Sequence, residues 1–448
     1  MEAPSLIEEI RFGYGPRMGS PPSPGGLEPE RLLAQLTAAD PTAAAWNRPS
    51  MADRLTLLVQ VRQDKMAGID VSPKSNQSVA MDDLKRIEQD DAPTFFARPA
   101  VASLGFVERL VNLWANRITV SNVSQGVGHH IQTFRDEAIR LNIAGRYADM
   151  IKATLWHPAM QIYLTQTESV GPNSPVGKRK GRGLNENLAR EFLELHSMGK
   201  GYTQTDVTEL AKLLAGMVTD ETGPHVAKAR AEPGRKHILG VTYGEGKDQI
   251  DKLVEDVAHR PETAQAVAFF LARHFIADVP PPDLVQALTA TYLAQDTQLV
   301  PLYRTLLQHP AAADPNRQKV RTPQEFAVAS LRLTGLTGME KGMLGFNKKS
   351  MMVPTYLTNM GQQPLKPLRP DGWPEVAAGW MTPPMMASRI DWATDLARAT
   401  GDRADPVALV DFALGDMATP LLRRAVAGAE QRWEGLAVLI ASPDFSRR

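Results

Sequence analysis

The segment from residue 181 to residue 207, GRGLNENLAREFLELHSMGKGYTQTDV, concentrates side chains suited to acid–base or metal chemistry. Its candidate catalytic residues are Glu186, Glu191, Glu194 and His196. Two carboxyl groups can act as acid and base when their surroundings separate their pKa values, and a histidine with acids can hold a divalent cation. Glu194 and His196, however, are two residues apart, so one helix directs them to different sides. A ligand set would need His157, His274 or acids from another helix, and we therefore predict no metal site.

The same segment also has a purely structural interpretation. On a helix of 3.6 residues per turn, Glu186, Arg190 and Glu194 follow one another at i, i+4 and i+8, which is typical of a solvated ion-pair ladder. The apolar residues of the segment share another side: Leu188, Ala189, Phe192, Leu193 and Leu195. His196 falls among them, where a buried imidazole needs a hydrogen-bond partner. Asn187 is a poor helix former and favours a polar cleft, so a solvated face and a functional cleft both stay open.

A basic stretch, VGPNSPVGKRKGRG, precedes this predicted helix. Its cations lie among glycines just before Asn185, which is the expected N-cap. Free N–H groups and the positive end of the helix dipole make such a junction suitable for phosphate, sulfate or a carboxylate. The predicted ligand-binding residues are Lys178, Arg179, Arg182, Asn185, Asn187 and Arg190. The stretch does not match a phosphate-binding Walker loop, and a solvated basic loop is the structural alternative.

The remaining sequence predicts a mainly α-helical fold that positions this segment. Apolar residues recur at helical spacing in stretches such as FVERLVNLWANRI, and short β-compatible runs between turn residues predict one small hairpin near residues 217–243. We expect a single unit over residues 1–448, with two helical halves, 1–216 and 246–448, joined by an excursion at 217–245, as the alternative. Helix boundaries are expected at Gly145 and His157, and helix starts near Thr203 and Thr322.

Two loops rich in proline are also expected. The opening RFGYGPRMGSPPSPGG predicts a loop that packs Phe12 and Tyr14 onto the body. The stretch MGQQPLKPLRPDGWPEVAAGWMTPP contains too many prolines for a regular helix and predicts an ordered aromatic loop. Its Trp373 and Trp380 either stack on a sugar ring or anchor the loop to the core.

Composition excludes several classes of site. The 448 residues contain no cysteine, which excludes disulfides, thiolate metal sites, iron–sulfur clusters and cysteine nucleophiles. Lysine and arginine total 50, as do aspartate and glutamate, so the overall charge indicates no nucleic-acid partner. The acidic N-terminus MEAPSLIEEIRFGYG lacks the features of a signal peptide, and no apolar run predicts a membrane span. A soluble cytoplasmic protein is therefore expected.

The stretch GPNSPVGKRKGRGLNENLAREFLELHSMGKGYTQTDV closely resembles the signature of the domain-of-unknown-function family numbered 1800 (DUF1800). Further stretches resemble that family's landmarks in the same order: RFGYGP, WHPAMQIYL, LARHFIAD, RTPQEFAVASLRL, MGQQPLKPLRPDGWP and ASPDFSRR. The resemblance covers nearly the whole chain. Two positions depart from the pattern, because a histidine is common in the family where this chain has Arg117 and Ala231. If those histidines bind metal in relatives, this chain lacks them.

The resemblance implies little about activity, since the family's molecular function is not established and no catalytic residue carries over. It implies a bacterial protein, and the export signals of many members leave a periplasmic location open. Family genes often neighbour those of the family numbered 1501 (DUF1501), which looks like the alkaline-phosphatase and sulfatase class. The leading hypothesis is therefore a binding or accessory protein, with that neighbouring gene's product as partner. The alternative is a hydrolase or transferase that acts on an anionic or carbohydrate substrate through the Glu/Asn/Arg/His cleft, and no cofactor is indicated for either.

Overall fold

The structure, a computed structural model, describes residues 6–20, 25–72, 74–123, 126–181, 183–220, 223–340, 343 and 353–448, with the side chains of Lys180 and Asp402 left aside. The predicted mainly helical fold is confirmed. The α-helices before the sheets are Pro29–Ala34, Met51–Met66, Val79–Asp91, Thr94–Val101, Gly105–Arg117, Ile131–Thr133, Tyr147–Trp156, Pro158–Tyr163, Pro175–Lys180, Asn187–Glu191 and Gln204–Leu214. Those after the sheets are Lys247–Ala258, Pro261–Phe275, Pro282–Ala294, Leu299–Gln308, Pro310–Ala313, Pro323–Thr334, Val353–Asn359, Pro383–Thr400, Pro406–Leu414, Pro420–Ala427, Arg432–Ala441 and Pro443–Ser446.

Wider and tighter helical turns occur between these elements. The π-helical segments are Glu8–Phe12, Phe134–Ile139 and Phe192–His196. The 3₁₀ segments are Ala43–Trp46, Gly128–His130, Arg140–Asn142, Gln166–Glu168, Ala377–Gly379, Gly401–Arg403 and Gly415–Met417. Among the described helices, none combines the length and the apolar character needed to cross a bilayer.

The expected small β-structure lies in the predicted segment. Within the described residues it forms two antiparallel pairs, strands Met217–Asp220 with Gly223–Val226 and strands Lys236–Ile238 with Val241–Tyr243. Leu239 and Gly240, which connect the second pair, both have positive φ angles of 52° and 84°. Positive φ angles at both connecting residues are typical of the two-residue β-turn whose backbone twist matches the right-handed twist of the paired strands.

The helix boundaries that the sequence predicted are confirmed. Thr203 and Thr322 each cap a helix, and the third residue of each helix, Asp206 or Glu325, returns a carboxylate to the capping residue's N–H. These reciprocal bonds satisfy N–H groups that a helix start leaves free. His157 ends one helix and starts the next, because its Nδ1 accepts from the N–H of Ala159 at 3.1 Å.

Two hydrophobic cores organise the helices. The first contains buried residues between 12 and 312, and the second combines residues from the N-terminal part with helices between 326 and 445. The π-helical segment Glu8–Phe12 joins them, since Ile10 packs in the second core and Phe12 in the first. The expectation that Phe12 and Tyr14 pack onto the body is confirmed, although Phe12 ends this helical segment and lies in no loop.

Candidate functional site

A buried charged network lies between the two cores, and we call it the seam; its members are Arg109, His274, Glu325, Glu375 and Arg448. Arg109 Nη1 lies 2.5 Å from Glu325 Oε1, and Arg448 Nε donates to Glu325 Oε2 at 2.7 Å. Burial raises the pKa of Glu325, but the two guanidiniums outweigh that effect and hold it well below its usual range. Glu325 is therefore the ionised counter-ion shared by two buried arginines.

His274 connects this pair to the aromatic loop. Its Nδ1 lies 2.9 Å from Glu375 Oε2, and its Nε2 lies 2.9 Å from Arg109 Nη2. Because a guanidinium only donates, Nε2 accepts and the ring proton sits on Nδ1. Burial lowers the pKa of His274 to about 4, although the negative charge of Glu375 acts to raise it. Both ring nitrogens are engaged, so this neutral histidine is a structural bridge with no nitrogen left for acid–base work.

The aromatic loop, residues 360–382, is ordered as predicted, and Asn116 at the end of the Gly105–Arg117 helix clamps it. Asn116 Oδ1 accepts from the N–H of Trp373 at 2.7 Å, and Asn116 Nδ2 donates to the carbonyl of Trp373 at 3.0 Å. The same amide nitrogen lies 3.0 Å from Glu375 Oε1. Gly372 has a φ of 79°, and a Cβ there would lie 2.4 Å from the carbonyl oxygen of Asn116, so only glycine permits this approach.

An open cleft of about 510 Å³ lies against this loop. Its floor is formed by the loop, and its walls come from Arg117, Leu195, Phe270 and Arg273. Trp380 is buried and donates from Nε1 to the carbonyl of Pro374 at 2.9 Å, so it anchors the loop. Trp373 is half-buried, lines the cleft and packs on Trp380 with ring centroids 6.2 Å apart. Trp380 therefore anchors the loop, while stacking of Trp373 on a ring stays a prediction.

Two cationic side chains on the cleft walls lack an ion-pair partner. Arg117 donates to Tyr147 Oη at 3.3 Å and to the carbonyl of Ser197 at 3.2 Å, and Arg273 donates to the carbonyl of Asp278 at 3.0 Å. Across the described part of the chain, no carboxylate lies within 4.0 Å of either guanidinium. Glu375 is occupied by His274 and Asn116, and burial, which raises its pKa, is outweighed by the hydrogen bond with His274 and by the charges of Lys319 and Arg448, so that its pKa is lowered. The cleft is therefore suited to a negatively charged group.

The predicted ladder lies at the protein surface. Glu186 accepts from Thr208 Oγ1 at 2.7 Å, from Gln204 Nε2 at 2.9 Å and from Arg190 Nη2 at 3.2 Å. The bond from Thr208, with those from Gln204 and Arg190, lowers the pKa of Glu186. The side chains of Arg190 and Glu186 are 40% and 32% exposed, and Glu194 is exposed as well. This arrangement favours the solvated face over a polar cleft for these three residues.

Glu191 is the predicted acid that lies beside the cleft. Its side chain is half-buried, and burial together with the charges of Glu194 and Asp371 raises its pKa to about 7. Leu195, which lies one turn beyond Glu191 on the same helical segment, lines the cleft, and so does Asp371 of the aromatic loop. Strongly shifted acids beside a cleft are typical of functional sites, although structural networks also produce them.

His196 is only 3% exposed, as its position among the apolar residues predicts. Burial and the nearby Arg117 lower the pKa of its imidazole to about 3. Its carbonyl accepts from the hydroxyl of Tyr147 at 2.6 Å. The turn Phe192–His196 is π-helical, yet Phe192 and Leu193 are buried and Glu194 is exposed, as the α-helical wheel drawn from the sequence predicts.

The basic stretch before this helix differs from the predicted loop. Pro175–Lys180 forms a short helix because Ser174 caps it, accepting from the N–H of Gly177 at 3.0 Å. Lys178 and Arg179 are exposed on this helix, and Arg182 lies outside the described residues. The prediction of a glycine-rich loop is therefore wrong for residues 175–180, while anion binding there stays a prediction.

The expected N-cap is also shifted by one residue. The cap position is Glu186, without a side-chain bond, instead of Asn185. Asn185 Oδ1 accepts from the N–H of Asn187 at 2.9 Å, and its Nδ2 donates to the carbonyl of Leu164 at 3.0 Å. Asn187 itself is exposed. The amide of Asn185 thus fastens the start of the helix to a neighbouring turn.

One group of side chains has the composition of a metal site. The ligand atoms of Glu255, His259 and Asp296 lie within 4.8 Å of one another. Arg146 Nη2 lies 3.0 Å from Asp296 Oδ1 and also contacts Glu255. A guanidinium already supplies the positive charge at this exposed cluster, which is best described as a salt-bridge network.

Sequence reasoning missed the cleft arginines and the seam. Arg117 had one signal, since it occupies a position where the resembled family commonly has histidine. The seam residues had none, because Arg109, Glu325 and Arg448 lie on helices and a terminus far apart in the chain. Only the proline-rich aromatic loop pointed to this side of the molecule before the structure did.

The comparisons with known proteins agree with the resemblance. A family model described as "Protein of unknown function (DUF1800)" matches residues 10–447. No curated protein and no solved structure matches the chain. Because the matched region covers nearly all of its residues, the chain belongs to the DUF1800 family.

Proposed function

We propose that the cleft binds an acidic ligand that contains a ring, such as a uronic acid or a sulfated sugar, and that the protein acts as a binding protein. One observation carries this proposal: the guanidiniums of Arg117 and Arg273 line the cleft and have no carboxylate partner among the described residues. The half-buried Trp373 lines the same cleft. A guanidinium fork matches carboxylate and sulfate oxygens, and a tryptophan face stacks on apolar ring surfaces.

The seam supports a binding role over catalysis at the cleft floor. His274 and Glu375, the acid–base pair nearest the cleft, are both held by other groups of the protein. They fix the position of the loop that carries Trp373. A rigid platform of this kind reduces the entropy lost on binding and so favours affinity.

The test is titration of the full chain with glucuronate, with a sugar sulfate and with neutral glucose at constant ionic strength, followed by calorimetry and tryptophan fluorescence. We expect heat and quenching from an acidic sugar, and none from glucose at the same concentration. The Arg117→Gln, Arg273→Gln variant should lose the signal. The matched control is Arg190→Gln, which removes an exposed arginine away from the cleft and should bind as the parent does. Equal binding of glucose, or no binding of any acidic sugar, would overturn the proposal.

Glu191 supports a second candidate function, a hydrolase or transferase that uses this carboxyl group as its acid or base. A pKa near 7 allows one carboxyl group to give and take protons at neutral pH. Turnover of a chromogenic acidic glycoside should then depend on a group that titrates near pH 7 and should be lost in Glu191→Gln. Turnover that persists in this variant, or an absence of turnover in the parent, counts against the enzyme.

An accessory role toward the product of a neighbouring DUF1501 gene is a separate proposal that rests on the family's gene neighbourhood alone. Co-purification of the two proteins from the native host tests it. Ligand binding at the cleft would not depend on that partner.

A further inference from the structure

A narrow cavity of about 60 Å³ lies behind the cleft, between the two cores. It shares Trp373, Pro374 and Glu375 with the cleft, and Arg135 lies on its inner wall. One ordered water needs only about 10–15 Å³ of such space. The cavity is therefore large enough for several waters or one small oxyanion.

Arg135 has no ion-pair partner among the described residues. Its Nη2 donates to Asn112 Oδ1, and its guanidinium lies 5.8 Å from the ring centroid of Phe95. In the described chain, these are its only hydrogen bond and its only ring contact, and no carboxylate lies within 4.0 Å. A guanidinium has five N–H donors, so most of them have no protein acceptor.

The acids closest to Arg135 in sequence and space are committed to other cations. Asp136 pairs with Arg98 at 3.3 Å and with Arg140 at 3.1 Å. Glu108 pairs with the same two arginines at 3.2 Å and 2.7 Å. Neither carboxylate forms an ion pair with Arg135, although both act on it from a greater distance, and burial lowers the pKa of its guanidinium to about 10.

The two carboxylates that line the cavity are held by other groups of the protein. Glu325 is shared by Arg109 and Arg448, and Glu375 is bonded to His274 and Asn116. Amide groups complete the polar lining, from Asn112, Asn116, Gln324 and Gln362. Asn116 Nδ2 already donates to Trp373 and Glu375, Asn112 Nδ2 to Tyr14 and Gln324 Nε2 to Phe95. The donors suited to an oxyanion are therefore the N–H groups of Arg135 and those of Gln362 Nε2, which has no acceptor among the described residues.

We propose that this cavity is a second binding site, separate from the cleft, where Arg135 and the amide of Gln362 hold a small oxyanion such as phosphate, sulfate or a carboxylate. The oxyanion supplies the direct ion-pair partner that Arg135 lacks among the described residues. It lies where the two cores meet, so its binding stabilises their association. The site does not require the cleft to bind any ligand.

The experiment uses the full chain with phosphate, sulfate or acetate, each compared with chloride at equal ionic strength. We expect at least one oxyanion to raise the melting temperature above that in chloride and to bind at one site per chain by calorimetry. Arg135→Met removes the buried charge together with its desolvation cost, so it should fold and should bind the oxyanion roughly tenfold more weakly or worse. Arg135→Lys keeps a charge without the fork and should bind with intermediate affinity.

The Arg117→Gln, Arg273→Gln variant is the matched control, since it alters the cleft and leaves the cavity unchanged. It should bind the oxyanion as the parent does, which separates this proposal from the proposed function. Three results would overturn the site: no oxyanion effect beyond chloride, unchanged binding in Arg135→Met, or binding abolished by the cleft variant. A crystal soaked in selenate gives an independent check, because an anomalous peak is expected within hydrogen-bond distance of Arg135. Density for waters alone would contradict the proposal.

Discussion

The seam and the Asn187–His196 helical segment use the same side-chain types for different purposes. In the seam, Glu325 holds Arg109 and Arg448, and every partner is almost fully buried. On the helix, Glu186 and Arg190 form an i, i+4 pair that is about one-third exposed. Water screens the exposed second pair far more than the buried first pair, so the same chemistry has large energetic consequences in one region and small ones in the other.

The comparison also shows where function can reside. Buried charges that are fully paired position a loop, as His274 and Glu375 do for the aromatic loop. Buried or half-buried charges without a carboxylate partner among the described residues, at Arg117, Arg273 and Arg135, leave binding capacity for a ligand. Exposed pairs such as Glu186 with Arg190 are already paired with each other.

Glu325→Gln should give the largest effect on stability. The substitution keeps the shape of the side chain but leaves Arg109 and Arg448 without their shared counter-charge, which costs about 3 to 5 kcal/mol when a buried pair is broken. Urea denaturation at pH 7 measures the free energy of unfolding, with Glu194→Gln as the surface control. A loss below about 1 kcal/mol would mean that the seam does not hold the cores together.

His196→Ala should have the next largest effect. The imidazole is buried in the same helical segment as the exposed ladder, and its removal leaves a cavity that costs about 2 to 4 kcal/mol. Thermal unfolding of the variant beside the parent checks this value. An unchanged melting temperature would show that the π-helical turn repacks around the missing ring.

Acid should weaken the folded protein through its buried histidines. Burial lowers the pKa of His130 and of His157 to about 3, and the charges of neighbouring histidines and of Arg54 act in the same direction. Both ring nitrogens of His130 and the Nε2 atom of His157 have no hydrogen-bond partner among the described residues. An unfolded histidine titrates near pH 6.5, so the unfolded chain takes up protons that the folded chain refuses as the pH falls below that value. Stability should decline by about 1.4 kcal/mol per pH unit for each such histidine between pH 6 and the folded pKa.

His157→Asn sharpens this test, because asparagine can replace the histidine as a helix cap while removing its titration. The slope of unfolding free energy between pH 6 and 5 should be smaller by the contribution of one histidine. His237→Gln, which changes an exposed ring, should leave the slope as it is. Identical slopes in all three proteins would contradict the assignment.

Changes in the exposed ladder should have the smallest effects. Each i, i+4 pair on a helix surface contributes only about 0.2 to 0.5 kcal/mol, so Arg190→Ala and Glu194→Gln should both shift the free energy of unfolding by about 0.5 kcal/mol or less. Chemical denaturation of the two variants measures this directly. A loss several times larger for Arg190→Ala would place the ladder in a polar cleft after all.

Local chemistry determined much of the fold. The caps at Thr203 and Thr322, the boundary at His157 and the ordered aromatic loop follow from neighbouring residues, and each is present in the structure. Residue spacing also placed His196 in the core. Spacing did not indicate that the turn Phe192–His196 is π-helical. Composition failed at residues 175–180, which form a helix capped by Ser174 despite the neighbouring glycines.

The sequence by itself thus determined the helices, their starts and the family to which the chain belongs. Only the tertiary structure decided which charges are paired: Arg109 meets Glu325, His274 meets Glu375, and Arg117 and Arg135 meet no carboxylate in the described chain. Helix periodicity and capping are local properties and can be read from neighbouring residues. The energy of a charge depends instead on its burial and on partners distant in sequence, which exist only after the two cores have packed.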